Sequence, residues 1–147
     1  MKKVVHVFTG LVIKEDKKSF LSVLRKEPNL ELANNKWELP GGKLEFGETP
    51  FDTVEREIYE ETGYRVKAIR LLPFPHINQW NYPNDLITHT VIIGCVCNLL
   101  NIPQNNVADH KVGAIKWIKL SEIEKYDFLP GTLQMIMQYF GDDNNGV

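Results

Sequence analysis

Between Gly42 and Tyr64, seven carboxylates fall within 23 residues: Glu45, Glu48, Asp52, Glu55, Glu57, Glu60 and Glu61. Glu57, Glu60 and Glu61 stand together near the end of one helical pattern, where like charges at neighbouring positions repel. At about 100° per residue these three share an arc of roughly 100°. That arc lies beside the apolar stripe of Phe51, Val54 and Ile58, not opposite it. A merely solvated acidic face would sit opposite the core and be mixed with basic residues. Arg56 can pair with Glu60 at i,i+4, yet one guanidinium does not neutralise three glutamates. A divalent cation does, and hard oxygen ligands at this density suit magnesium or manganese better than zinc. A carboxylate-rich magnesium site keeps its waters and typically holds substrate through phosphate oxygens. The bland alternative, an acidic helix beside ordinary turn glycines, accounts for each residue singly but not for the spacing as a whole.

A loop and a helix must position these groups. Gly41 and Gly42 allow a sharp turn and a close backbone approach to a ligand. Thr49 is a helix N-cap, Pro50 suits the first helical position, Asp52 sits in the first turn, and Gly63 ends the helix. Around this unit the chain reads as strands at 3–14, 19–26, 37–39, 65–74, 86–99 and 112–120. Residues 76–85 (HINQWNYPND) read as a polar, aromatic loop. Ser121 with Glu124 forms a capping box for a further helix, residues 132–140 form the last helix, and GDDNNGV is a frayed tail. Along 86–99, Leu86, Thr88, Thr90, Ile92 and Val96 fall on one face and Ile87, His89, Val91, Ile93, Cys95 and Cys97 on the other. Both faces are apolar near the middle, as in a central strand covered on both sides. The layout predicts an α/β fold, a mixed sheet with helices on both faces, and one domain over 1–147.

Composition excludes several functions. At 147 residues, with 43% hydrophobic and 24% charged residues, the chain is an ordinary globular length and mix. A net charge of -2 argues against a nucleic-acid footprint over the whole domain. The start, MKKVVHVFTGLVI, has two lysines before an apolar run, but a histidine interrupts it and no small-residue cleavage site follows, so it reads as a first strand. Nothing approaches a membrane span. Cys95 and Cys97, the only cysteines, point the same way on a strand with Cα atoms roughly 6.6 Å apart, poor geometry for a mutual bridge. Core thiols in a reducing cytoplasm are expected.

The segment 42–64 resembles the signature of the Nudix hydrolases: Gly42, five residues to Glu48, seven more to Arg56 and Glu57, then Ile58, Glu60, Glu61, Gly63 and Tyr64. Only Tyr64 departs, being aromatic where an aliphatic is usual. The flanking WELPGGK and the order of strands extend the resemblance over most of the chain. The family resemblance implies an α/β/α sandwich that hydrolyses a nucleoside diphosphate linked to another group. It implies that Glu57, Glu60 and Glu61 bind Mg2+ (or Mn2+) and activate water, with the carbonyl of Gly42 often adding a ligand. Arg56 would orient a signature glutamate and Glu48 would support the loop.

WELPGGKLEFGETP is similar to the mutator-type branch, which implies a nucleoside triphosphate cleaved to monophosphate and pyrophosphate, with attack on the second phosphorus. That branch reads oxidised guanine partly through an asparagine near its last helix. The comparable stretch here, Phe128 to Thr132, holds none. A tyrosine sixteen to eighteen residues past the signature is common among dinucleoside polyphosphate hydrolases, and Tyr82 fits, so those substrates and nucleotide sugars stand as alternatives. A nucleotide sensor that no longer turns over is the non-enzymatic rival, opposed by the intact glutamates. Candidate substrate contacts are Arg25, Lys43, Trp80, Tyr82 and Asp109. Each has a plainer reading: Arg25 can pair with Glu27, Trp80 and Tyr82 can pack on their own sheet or a second subunit, and Asp109 can be a solvated loop residue. The expected partner is a small nucleotide, with neither nucleic acid nor membrane, in a cytoplasmic protein that can be a homodimer.

Overall fold

A computed structural model describes residues 1–101 and 111–144. The elements in chain order are β1 (Lys2–Ile13), β2 (Ser19–Arg25), β3 (Trp37–Glu38), β4 (Gly41–Lys43), α1 (Pro50–Thr62), β5 (Arg65–Leu71), β6 (His76–Asn81), β7 (Ile87–Asn101) and β8 (Val112–Lys119). A 3-10 helix (Leu120–Lys125) and α2 (Thr132–Asn144) follow. The strands form one mixed sheet ordered β3-β2-β1-β7-β5, with β4 on β1, β6 on β7 and β8 on β2. β1 and β7 run parallel through an unbroken register from Lys2↔Ile87 to Ile13↔Asn98. The other named pairings are antiparallel.

Side chains alternate across a strand, so β1 feeds two cores. Phe8 and Val12 join Cys95 and Cys97 of β7 beneath Val54 and Ile58 of α1. Leu11 and Ile13 join Val96 beneath Met135, Ile136 and Phe140 of α2. This is the expected sandwich, with a helix on each face. α2 approaches the sheet closely where Thr9 and Gly94 are paired: the Thr9 hydroxyl donates to Met135 Sδ at 3.4 Å, and a Cβ on Gly94 would meet that sulfur at 2.7 Å. Toward the N-terminal ends of β1 and β7 the same sheet face runs on beyond this contact. There the paired positions are Val7–Ile92–His76, Val5–Thr90–Asn78 and Lys3–Thr88–Trp80 across β1, β7 and β6.

Several expectations change. The presumed loop 76–85 begins with a strand, β6, paired with β7 from His76↔Ile92 to Asn81↔Ile87. Its inward positions include His76 and Asn78, which hide the apolar alternation a strand normally displays. Asn78 is nonetheless buried and satisfied: its Nδ2 donates to Pro130 O at 2.9 Å, and its Oδ1 lies 2.9 Å from His76 Nε2. The strand begun at 65 stops at Leu71, not 74. Residues 120–125 form a 3-10 helix with no side-chain cap, so Ser121 does not act as predicted. The backbone N–H of Leu120 donates instead to Lys18 O. α2 continues through 144, into the predicted tail.

Candidate active site

The helix that carries the glutamates begins and ends as its sequence dictates. Thr49 accepts from the Asp52 N–H at 3.2 Å while Asp52 accepts from the Thr49 N–H at 3.0 Å, closing a capping box. Gly63 adopts φ 78° and donates to Tyr59 O at 2.8 Å, the left-handed stop that glycine permits without a Cβ clash. Val54 and Ile58 are fully buried against the sheet, which fixes the rotation of α1 and sends Arg56, Glu57, Glu60 and Glu61 toward its flank.

Arg56 is the hub of that flank. Its Nε donates to Glu48 Oε2 at 2.7 Å, one terminal nitrogen to Glu48 Oε1 at 3.0 Å and to Lys43 O at 3.2 Å. The other terminal nitrogen donates to Glu57 Oε1 at 2.9 Å and Glu60 Oε2 at 3.2 Å. The planar fork suits such simultaneous contacts in a way an ammonium cannot. Glu48 Oε1 also accepts from the Glu45 N–H and the Thr53 hydroxyl, tying the loop to the helix. The hydrogen bond from Arg56, foremost, holds the Glu48 carboxyl down at about 2. The same bond to Glu48 raises Arg56 above its ordinary value, against the opposing effect of desolvation.

Gly42 meets the helix from the other side. It pairs with Phe8 as part of β4, and its φ is not positive, so no turn conformation demands glycine there. What demands it is space: a Cβ at this position would lie 2.4 Å from Glu57 Cδ and 2.5 Å from Oε1. The glycine therefore leaves a cradle for the Glu57 carboxylate. Gly42, Glu57, Glu60 and Glu61 line one cavity of about 580 Å³, at one end of the sheet face left beyond α2. Among the described residues no three acidic, histidine or cysteine side chains converge closely enough to cage an ion unaided. Magnesium does not need such a cage, because it keeps several waters and takes one or two carboxylates plus substrate phosphates. All-oxygen donors beside a backbone without a side chain fit that ion.

A family model described as the NUDIX domain matches residues 5–139. The chain belongs to the Nudix family. The 8-oxo-dGTP diphosphatase of Escherichia coli K12 is 36% identical over 87 residues, 54% of this chain and 64% of that protein. An RNA pyrophosphohydrolase of Bartonella bacilliformis is 36% identical over 58 residues, 37% of this chain and 32% of its own. The chain thus spans less than two thirds of the length of these curated relatives. The structure of a MutT Nudix hydrolase from Burkholderia pseudomallei superposes with a TM-score of 0.71 at 22% identity, covering 92% of this chain and 97% of the other. That likeness establishes the shared fold.

Within the Nudix fold the remaining predicted residues fare differently. Lys43, Arg25, Trp80 and Tyr82 all line the same cavity as the glutamates, whereas Arg56 stands behind them outside its lining. Asp109 lies outside the described residues. The β2–β8 pairing shifts register between Leu24 and Arg25, and Arg25 lines the cavity on the same side as Val23. Its Nε donates to Glu27 Oε2 at 2.7 Å and one terminal nitrogen to Glu38 Oε2 at 3.4 Å, so the Arg–Glu pair allowed by the sequence is present. Burial opposes the charge on Arg25, but Glu38 and Glu27 hold its pKa above the ordinary value; burial raises Glu38 in turn. Trp80 is no loop aromatic. It points inward from β6 and is buried with Leu30, Ala33 and Leu129, with Tyr82 packed against the group. The Tyr82 hydroxyl donates to Glu27 Oε1 at 3.3 Å. His89 is exposed, its Nε2 3.1 Å from Gln79 Oε1, on the sheet face away from the cavity. Sequence reasoning missed Lys3, Glu38, Thr88 and Thr90, which also line the cavity. The period-2 pattern of 86–99 placed both threonines on one face but gave no sign that α2 would leave that part of the face open.

Proposed function

We propose that this Nudix chain is a magnesium-dependent pyrophosphohydrolase that cleaves a nucleoside triphosphate to the monophosphate and pyrophosphate. One observation carries the reading. The three carboxylates of α1 and the backbone of Gly42 share a cavity of about 580 Å³ whose other walls carry more basic than acidic side chains among apolar ones, within the size range of small-molecule sites. The names of the relatives, a nucleoside triphosphate diphosphatase and an RNA pyrophosphohydrolase, support cleavage of a phosphoric anhydride.

One or two of Glu57, Glu60 and Glu61, with the carbonyl of Gly42, would hold the ion directly, and the rest of the set would reach it through its waters. Bound magnesium supplies charge neutralisation on phosphate oxygens and lowers the pKa of water. Arg56 holds the carboxylates of Glu57 and Glu60 from behind, so that they do not swing away when the cavity is empty of phosphate. One carboxylate of this set takes the proton of the attacking water. Lys43, beside Gly42 on the cavity wall, is placed to meet phosphate charge, and the apolar walls shelter the nucleoside. Two free, buried thiols at Cys95 and Cys97 agree with a reducing, cytoplasmic setting. Among the described residues no helix is long and apolar enough to cross a membrane.

The test is a panel of nucleoside triphosphates, dinucleoside polyphosphates, nucleotide sugars and an RNA bearing a terminal triphosphate. It is run with magnesium in ¹⁸O-labelled water, reading phosphate, pyrophosphate and monophosphate separately. The expected result is turnover of a triphosphate with label in pyrophosphate and none in the monophosphate. Orthophosphate as the sole product, or no turnover of any member, would overturn the reading.

A further inference from the structure

Two carboxylates line the cavity away from α1, Glu27 and Glu38. Glu27 is engaged at both oxygens: Oε2 accepts from Arg25 Nε at 2.7 Å and Oε1 from the Tyr82 hydroxyl at 3.3 Å. Glu38 is not. Its Oε2 meets a terminal nitrogen of Arg25 only at 3.4 Å, the outer limit of a hydrogen bond, and no described residue donates to Oε1. The side chain keeps 22% of its surface, so the carboxylate is reachable from the cavity. Its backbone is fixed: Glu38 pairs with Val23 across β2–β3, and its carbonyl accepts from the Ser22 hydroxyl at 2.7 Å. A rigid strand thus presents a half-buried acceptor with spare capacity, and donors on a bound molecule are what would fill it.

Charge and surroundings decide which part of a nucleotide supplies them. A carboxylate repels phosphate, so the polyphosphate does not end at Glu38. Gly42, which marks the phosphate end, stands four residues further along the chain, a span of at most roughly 14 Å. A nucleotide whose phosphates lie at α1 can therefore bring its nucleoside to Glu38. A ribose offers hydroxyl donors, but Glu38 is flanked by Val23 and by Leu129, whose N–H donates to Trp37 O; both line the cavity. Such neighbours favour a flat heterocycle over a hydrated sugar. An ionised carboxylate only accepts, so it matches two N–H donors side by side. Guanine offers that edge, through N1–H and the 2-amino group. Adenine offers an acceptor beside a donor there, and hypoxanthine a single donor.

We propose that the Glu38 carboxylate is a specificity-determining contact that selects a guanine-type base by accepting from its two adjacent N–H donors. The proposal rests on the nucleotide reading above and deepens it by naming the base. Burial raises the Glu38 carboxyl while Arg25 opposes the rise, so the assays are run at pH 8 to keep it ionised. Glu38→Gln keeps the shape but turns one acceptor into a donor, which mismatches guanine and matches adenine. Glu38→Ala removes the group by a second route. Wild type and variants are compared on GTP, ITP, ATP and dGTP with magnesium, and by calorimetric binding of GMP, IMP and AMP in a metal chelator. The wild type should favour GTP over ATP by about tenfold or more in kcat/KM, with ITP between them. Glu38→Gln should lose about tenfold or more on GTP and stay within about threefold on ATP, with the same shift in monophosphate affinity. A Glu38 that merely held Arg25 would lower every substrate by one common factor. A GTP-to-ATP ratio unchanged within twofold in both variants would overturn the proposal. So would a wild type without guanine preference, or a change confined to the GTP-to-dGTP ratio, which would give the carboxylate to the ribose. Monophosphate binding that depends on Glu38 without turnover of any nucleotide would sink the pyrophosphohydrolase and leave Glu38 standing; no binding of any nucleotide would sink both.

Discussion

Gly42→Ala separates catalysis from folding at a single methyl group. The new Cβ would stand 2.4–2.7 Å from the three carboxyl atoms of Glu57, whereas non-bonded heavy atoms settle near 3.5 Å. The carboxylate must retreat by about 1 Å, and it is the free end of a flexible side chain, so the backbone need not follow. Since φ at Gly42 is not positive, alanine is conformationally acceptable and reduces unfolded-state freedom, a gain of about 0.4–1 kcal/mol. Loosening of the 2.9 Å bond between Arg56 and Glu57 offsets part of it. Net stability should stay within about 1 kcal/mol, a change in melting temperature of a few degrees. Activity should not stay: a displacement of about 1 Å in a positioned group costs on the order of 100-fold, or about 2.7 kcal/mol of transition-state stabilisation. The assay is kcat/KM on the best substrate of the panel, with a magnesium titration, beside a thermal melt. The contrasting control is Gly41→Ala, whose Cβ would lie 2.2 Å from the Phe8 carbonyl oxygen and 2.6 Å from Thr9 Cα. Backbone cannot step aside, so that variant should lose fold and activity together. Gly42→Ala with kcat/KM within threefold of wild type and an unshifted magnesium requirement would refute the role assigned to the Glu57 cradle.

Three further outcomes follow from the same contacts. Arg56→Lys keeps the charge but not the fork that reaches Glu48, Glu57 and Glu60. It should destabilise by about 1–2 kcal/mol, discounted for partial exposure, and lower kcat/KM at least tenfold; equal activity and melting would count against the hub. Glu48 has its pKa depressed to about 2 in the fold, so its contribution is full above its unfolded value near 4.5 and is lost as pH falls from there toward 2. Denaturation midpoints against pH should therefore fall less steeply over that window in Glu48→Gln than in wild type, and parallel curves would sink the idea. Trp80→Ala should destabilise by about 3 kcal/mol because the indole is core, not a mobile lid. A variant that melts like wild type while losing only nucleotide affinity would say otherwise.

The parts of this molecule that are legible in sequence are the local ones. Thr49, Pro50, Asp52 and Gly63 set the ends of α1 through contacts three or four residues long, and Val54 and Ile58 set its rotation, so the flank holding Glu57, Glu60 and Glu61 could be read off a wheel. The i,i+4 contact from Arg56 to Glu60 was equally visible. Its stronger bonds to Glu48 were not, because they depend on how the loop from Gly42 to Glu48 folds back. β6 escaped detection because His76 and Asn78 occupy inward positions. They pair with each other, and Asn78 is completed by Pro130, 52 residues further along the chain. Trp80 looked available for stacking for the same reason: once β6 is a strand, the indole turns inward beside Leu129. Thr88 and Thr90 could not be singled out as cavity residues, since that depends on where α2 stops covering the sheet.

The crowding of carboxylates is thereby only half explained by Arg56. Its guanidinium contacts Glu48, Glu57 and Glu60 and lies 3.7 Å from Glu45, so one positive charge faces four negative ones, and Glu61 adds a fifth. Of these carboxylates Glu57, Glu60 and Glu61 line the cavity, whose other walls carry Lys3, Arg25, Lys26, Lys43 and Lys111 against Glu27 and Glu38. Such a cavity is electrically divided, with an acidic end at α1 and a remainder in which five cations face two carboxylates. A polyphosphate alone gains from the lysines and is repelled where its anhydride must lie; a cation alone meets the reverse. Together they satisfy both ends, and neither does so unaided. Metal and polyphosphate should therefore bind as a pair, each raising the affinity for the other. The surplus of acid that isolated helix energetics would disfavour is what the proposed metal would offset.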